Sequence, residues 1–176
     1  MADEVGEQQT QGQAAVPIDP TRLELILDRL RADQNLVAGV LAGAAGAVAG
    51  AGLWAAVTVF TGFQIGWMAV GVGFLVGYLV RLAGKGIDKS FGVAGALLSL
   101  LGCALGNLLA ACGWLARQEG VPFLEVLSSL DAEFVGRLMA HTFNPMDLIF
   151  YGFASYEGYK LSIRKLTEEE LAELTG

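Results

Sequence analysis

The stretch 71-GVGFLVGYLVRLAGKGIDK-89 decides how the chain is read. Three glycines crowd into its first seven residues, and Arg81, Lys85 and Lys89 follow within the next twelve. Two chemistries use such a pattern. One is a glycine loop wrapped around a phosphate; the other is the end of a close-packed membrane helix held by cations. The first fails on spacing and context. A dinucleotide loop needs GxGxxG between a strand and a helix, whereas the spacing here is GxGxxxG inside an apolar run. Gly84-Lys85-Gly86 lacks the remaining elements of a P-loop. The stretch therefore reads as a membrane helix ending in a basic turn.

The rest of the sequence agrees. Of 176 residues, 54% are hydrophobic and 16% charged, against about a quarter charged in an ordinary soluble domain. Mean hydropathy is +0.53. No Asp, Glu, Lys or Arg occurs between Leu36 and Val80, or between Ser90 and Ala116. Roughly 20 apolar residues at 1.5 Å each cross the hydrocarbon core of a bilayer. The net charge of −7 sits at the termini, with seven acids and three arginines in residues 1–35 and four Glu in the last nine residues. That balance argues against nucleic acid as a partner. The acidic opening MADEVGEQQTQGQAAVPI has neither a basic n-region nor an early apolar core, so it is no signal peptide. Residues 1–18 read as a disordered acidic tail.

The pattern predicts an all-α integral membrane protein. Its core is a compact bundle of four transmembrane helices, or three if the last segment lies at the interface, with amphipathic surface helices around it. Residues 19–35 open with Asp19 and Pro20 and carry Leu23, Ile26, Leu27 and Leu30 on one face, as an amphipathic cytoplasmic helix does. The bundle covers 36–163, with spans at about 36–60, 65–82, 91–114 and 146–163. Within 117–145, Phe123, Val126, Leu127, Leu130, Phe134 and Leu138 recur at helical spacing, which predicts an amphipathic external helix. Span 146–163 contains Asp147, Glu157 and Lys160, each unfavourable in lipid. Glu157 is spaced to pair with Lys160 and Arg164. Residues 164–176 read as a short cytoplasmic helix with a Thr167/Glu170 capping box. With four spans, nine of the eleven Lys and Arg fall on one side, placing both termini in the cytoplasm. Trp54, Trp67 and Trp114 fall toward the opposite ends of their spans, where indoles favour the interface.

The glycines then have a packing role. Gly39, Gly43, Gly46 and Gly50 repeat at 0, 4, 7 and 11, as do Gly95, Ser99, Gly102 and Gly106. Gly66, Val70, Gly73 and Gly77 share the offsets, and so do Tyr151, Ser155, Gly158 and Ser162. Alternating steps of four and three are the period of a left-handed helix pair. Small residues let backbones approach where lipid gives no hydrophobic drive between helices. The GxxxG pairs within these stripes fit right-handed crossings equally well.

Few residues are left for chemistry. Asn107 is a deep polar side chain, read either as a solute contact or as an interhelical hydrogen bond. Asp147 and Glu157 complete the candidate intramembrane polar site. Arg81, Lys85 and Lys89 are anchors of a basic turn or contacts for anionic lipid headgroups. His141 stands alone, with Asp147 or Glu133 as conceivable metal partners and a surface or capping role as the simpler reading. Cys103 and Cys112 lie nine apart in an apolar run and read as packing residues. No nucleophile–base arrangement occurs, and no metal or other cofactor is expected.

The segments GFQIGWMAVGVGFLVGYLVR, GVAGALLSLLGCALGN and DLIFYGFASYEGYKLS resemble a family of small uncharacterised glycine-rich bacterial inner-membrane proteins with a variable soluble N-terminal extension. The resemblance covers residues 36–163. It implies a bacterial inner-membrane location and membership of 146–163 in the membrane domain, and it carries no activity or functional residues. The function expected is a non-enzymatic membrane subunit or scaffold that associates with itself, as a homo-oligomer, or with a membrane-protein partner in the lipid bilayer. The alternative is a small oligomeric channel or transporter for ions or small solutes.

Overall fold

The computed structural model describes residues 20–63, 66–142 and 144–175. Regular structure there is helical throughout: α1 Pro20–Asp33, α2 Leu36–Thr61, α3 Trp67–Gly84, α4 Lys89–Glu119, α5 Phe123–Ser128, α6 Ala132–Thr142, α7 Pro145–Ser162 and α8 Glu168–Thr175. Two compact units result. The larger is Leu30–Lys165; the smaller joins residues up to Arg29 with those from Leu166 onward. In the smaller unit the Arg22 guanidinium donates to the Glu173 carbonyl at 3.4 Å. The Thr167 N–H donates to the Glu170 carboxylate and the Glu170 N–H to the Thr167 hydroxyl, at 2.8 and 3.3 Å, so the capping box of α8 is formed. The tail at 1–18 and Asp19 lie outside the described residues.

Three helices, α2, α3 and α4, are long and apolar enough to cross a membrane, which marks a membrane protein. At 1.5 Å per residue they reach about 39, 27 and 46 Å. α7 has 18 residues but retains Asp147, Glu157 and Lys160, and by composition it is not one of the three. It is nevertheless packed into the same core, against α3 and α4.

Local chemistry sets the ends. Asn35 caps α2, its side chain accepting from the Ala38 N–H at 2.9 Å. Gly62, at φ +73°, closes the helix by donating its N–H to the Thr58 carbonyl. α4 stops the same way at Gly120, φ +68°. α3 ends on Lys85 at φ +49°, a left-handed position taken here by a residue other than glycine. The segment 117–145, expected to be one external helix, is not one helix. Ser128 and Ser129 turn their hydroxyls back onto the Glu125 and Val126 carbonyls, and Asp131 caps a new helix by accepting from the Phe134 N–H. Its apolar period is therefore cut into α5 and α6, both packed on α4.

The loop between α3 and α4 is clamped from two sides. The Asn35 N–H donates to the Gly84 carbonyl at 2.8 Å, and the Arg164 N–H donates to the Gly86 carbonyl at 2.8 Å. The Gln34 side-chain amide N–H donates a hydrogen bond to the Asp88 carboxylate, and Arg31 sits 3.7 Å from the same carboxylate. This basic end gathers the start of α2, the α3–α4 turn and the end of α7.

Between the ends the packing is governed by missing side chains. α3 and α7 run in the same direction. A Cβ on Gly73 would overlap the Ala154 carbonyl and lie 2.8 Å from its Cα, and one on Gly77 would meet Leu161 Cβ at 2.8 Å. α4 crosses α7 in the opposite sense, where Gly95 faces the Ser162 hydroxyl and Gly158 faces the Ser99 hydroxyl. Each hydroxyl is satisfied within its own helix: Ser99 donates to the Gly95 carbonyl and Ser162 to the Gly158 carbonyl, at 2.7 and 2.6 Å. The glycine stripe of α2 faces α3, with Gly39 on Gly84, Gly43 on Val80 and Gly50 on Val72. The α4 stripe is divided. Gly95 and Ser99 serve α7, while Gly102 and Gly106 receive Ala47, Ala51 and Trp54 of α2.

Leucine at Gly73 or Gly102 should lower thermal stability in detergent by about 1–3 kcal/mol, the usual range for overpacking. Gly73 should be the worse, because backbone rather than a movable side chain opposes it. Leu41→Ile and Leu101→Ile, at positions 66% and 64% exposed, should change it by less than about 1 kcal/mol. Equal losses in the two classes would refute backbone approach as the basis of the packing.

Candidate functional site

The candidate polar residues do not form one site. Asn107 is 2% exposed on α4, and its side chain meets the Tyr151 hydroxyl of α7. That hydroxyl also donates to the Cys103 carbonyl at 3.4 Å. Cys103 is buried and directs its thiol at the Ala69 carbonyl of α3, 3.7 Å away. Polar contacts thus link α3, α4 and α7 at one level, in the half of the bundle away from the basic end.

Asp147 belongs to the same half but has a structural task. It is 7% exposed, and its carboxylate accepts from the Asn144 N–H at 3.0 Å while the Asn144 side chain accepts from the Met146 N–H. This is a reciprocal cap with Pro145 in the first turn of α7. An acid at this position satisfies backbone donors and faces the positive end of the helix dipole.

Glu157 is half-buried and ten residues along α7, beyond the Gly73–Ala154 contact. Ala154, wholly buried, lies between the two acids and presses on Gly73. Asp147 and Glu157 are therefore separated by close-packed backbone. Glu157 forms no ion pair with Lys160, contrary to its spacing. The Lys160 ammonium lies 5.5 Å from the ring centroid of Tyr156 instead.

Trp54 departs from expectation most clearly. Trp67 and Trp114 are 70% and 50% exposed at the helix ends, as interfacial indoles should be, but Trp54 is 1% exposed. Its ring fills the space left by Gly106 of α4. Its indole N–H finds no protein acceptor, and neither does the buried hydroxyl of Thr58 one turn on. Composition gave no reason to single out Thr58. A signal did exist: Ala47, Ala51, Trp54 and Thr58 repeat at 0, 4, 7 and 11, one residue behind the glycine stripe, and they form the face that α2 turns to α4.

The remaining candidates are structural or dispersed. Gly39, Gly43, Gly46, Gly50, Gly73, Gly77, Gly95, Gly102 and Gly106 are all buried at helix contacts. Lys85 and Lys89 are exposed around the basic turn, and Arg81 rests 5.6 Å from the Tyr78 ring centroid. Cys112 is buried and unoxidised with Cys103. His141 lies in α6 with its side chain outside the described residues. Among the described residues no group of three or more His, Cys, Asp and Glu could hold a metal ion.

The chain matches no protein-family model, no curated protein and no solved structure.

Thr58→Val exchanges an unpaired hydroxyl for a methyl of the same shape. Melting in detergent should be unchanged or raised by up to about 1 kcal/mol, because removing a buried unsatisfied group is neutral or favourable. Asn107→Leu should lose about 0.6–2 kcal/mol with its contact to Tyr151. Destabilisation by Thr58→Val matching that of Asn107→Leu would mean that Thr58 is hydrogen-bonded in the folded protein.

Proposed function

We propose that the protein is a non-enzymatic membrane subunit or scaffold, a glycine-packed bundle that associates with copies of itself or with a membrane-protein partner. One observation carries this reading: the Gly73–Ala154 contact closes the bundle between its two buried polar levels. A rigid, closed bundle suits assembly, and it leaves no continuous polar route for a solute along α7. The face that α2 turns away from the core supports association, since Ala45, Ala49 and Gly52 are exposed and a Cβ on Gly52 would meet nothing within 4 Å. Close helix approach from a second chain needs small residues of that kind.

In this reading α7 is the fourth span. It carries its cap at one interface and Lys160 at the other, where a long stem lets an ammonium reach water. The basic end then lies in the cytoplasm of a bacterial inner membrane, as the resemblance to that family and the distribution of Lys and Arg both imply.

Three measurements test the proposal. Cysteines replacing Phe63 and Glu119 should label from outside intact cells, and those replacing Lys85 and Glu169 should not; outside labelling of Glu169 would remove α7 as a span. In detergent the protein should run as a dimer or larger, or crosslink to a membrane partner. Gly52→Leu should then shift the mass to monomer without lowering helix content. A wild-type monomer that acquires no partner, or robust ion or proton flux through reconstituted wild-type protein, would overturn the scaffold reading.

A further inference from the structure

We propose that Arg81 and Lys160 form, on the groove between α3 and α7 at the basic end, a binding site for the phosphate of a singly charged anionic phospholipid. The proposal rests on α3 and α7 both crossing the membrane and is otherwise independent of what the bundle assembles with.

The register brings the two cations together. Gly77 of α3 lies against the Glu157 and Gly158 carbonyls and Leu161 Cβ of α7. Arg81 is one turn beyond Gly77, and Lys160 lies within the facing stretch. The two Cα atoms therefore differ in height by about one helical turn or less, roughly 5 Å. Both residues border the same groove. α4 covers one side of the α3–α7 contact through Gly95 and Ser99. On the uncovered side α3 shows Phe74 and Tyr78, 49% and 51% exposed, and α7 shows Phe153 and Tyr156, 53% and 57% exposed.

Each cation is positioned by its own helix. Arg81 lies over Tyr78 and Lys160 over Tyr156, at 5.6 and 5.5 Å from the ring centroids. Such contacts hold a cation while leaving its N–H donors directed outward. A guanidinium beside an ammonium matches the oxygens of a phosphodiester. Toward the membrane interior, Phe74 and Phe153 give an acyl chain two aromatic walls.

Charge decides the class of lipid. Glu157 faces the same groove from α7, one turn deeper than Lys160, and Arg164, Lys165 and Lys85 stand on the aqueous side. Arg81 and Lys160 against Glu157 leave one positive charge at the groove, which a single phosphodiester with an uncharged headgroup neutralises. A zwitterionic headgroup would bring its own cation toward three others.

The test uses full-length protein in nanodiscs of phosphatidylcholine with a minority of phosphatidylglycerol, with retained lipid read by native mass spectrometry. Wild type should retain phosphatidylglycerol over phosphatidylcholine, and Arg81→Gln/Lys160→Gln should lower that retention about tenfold. Lys160→Gln alone changes an exposed residue and should lower it about threefold with an unaltered melt. Lys85→Gln/Lys89→Gln removes the same charge from the neighbouring turn and should lower it less than twofold. Equal losses for the two double variants, no loss with Lys160→Gln, or equal retention of both lipids by wild type would overturn the site. Release of wild type from cell membranes by alkaline wash would overturn the membrane reading and the site with it; retention through the wash combined with any of the preceding results would overturn the site alone.

Discussion

Backbone approach at Gly73 is the contact on which the rest of the bundle depends. α7 is too polar to hold its place by hydropathy, yet it occupies the groove between α3 and α4 along its whole length. A methyl at Gly73 would collide with the Ala154 carbonyl, so the two helices are closer there than any other residue permits. That proximity extends dispersion contact along both helices, and in lipid such contact stands in for the hydrophobic drive that is missing. It also fixes register. With Gly73 on Ala154, Gly77 must fall on Leu161, Gly66 on Phe150, and the end of α7 on the α3–α4 turn, where the Arg164 N–H reaches the Gly86 carbonyl.

Polar groups inside the bundle follow from the same closeness. Ser99 and Ser162 are small enough to stand opposite glycines, and each returns its hydroxyl to a carbonyl of its own helix. They bring no interhelical bond and leave no unsatisfied donor. Farther from the basic end the helices carry larger residues, and polar side chains there bond between helices: Tyr151 to the Cys103 carbonyl, Cys103 to the Ala69 carbonyl. The bundle therefore has two halves, one held by backbone contact and one by polar and aromatic packing around Trp54. The unpaired Trp54 and Thr58 groups lie in the second half.

Much of this was legible in the sequence. Long uncharged runs located α2, α3 and α4 within a few residues, and steps of four and three picked out glycines that are buried. What those steps could not tell was which neighbour each glycine serves. Gly95 and Gly102 belong to one stripe, yet they face different helices, because a period describes one helix and a contact needs two. Trp54 was misread for a similar reason: its distance from the end of α2 favours an interface, but Gly106 on another helix opens a pocket for its ring. The break between α5 and α6 was hidden because apolar spacing continues across it, while the signal that cuts it lies in Ser128, Ser129 and Asp131.

The two acids of α7 bear on whether a single chain could conduct. Ionisable residues at membrane depth are read as functional by default, and Asp147 and Glu157 invite a relay. A relay needs groups that exchange protons directly or through water, and therefore a polar path between them. Along α7 the one buried position between them is Ala154, with half-buried Tyr151 on the Asp147 side of it and half-buried Ser155 on the Glu157 side. Ala154 sits against Gly73 with no room for a Cβ between the two backbones. Asp147 is moreover committed to the Asn144 backbone as a helix cap, one carboxylate oxygen accepting the Asn144 N–H. Asp147 thus answers to a local demand as the cap of α7, and close-packed backbone at Ala154 separates it from Glu157.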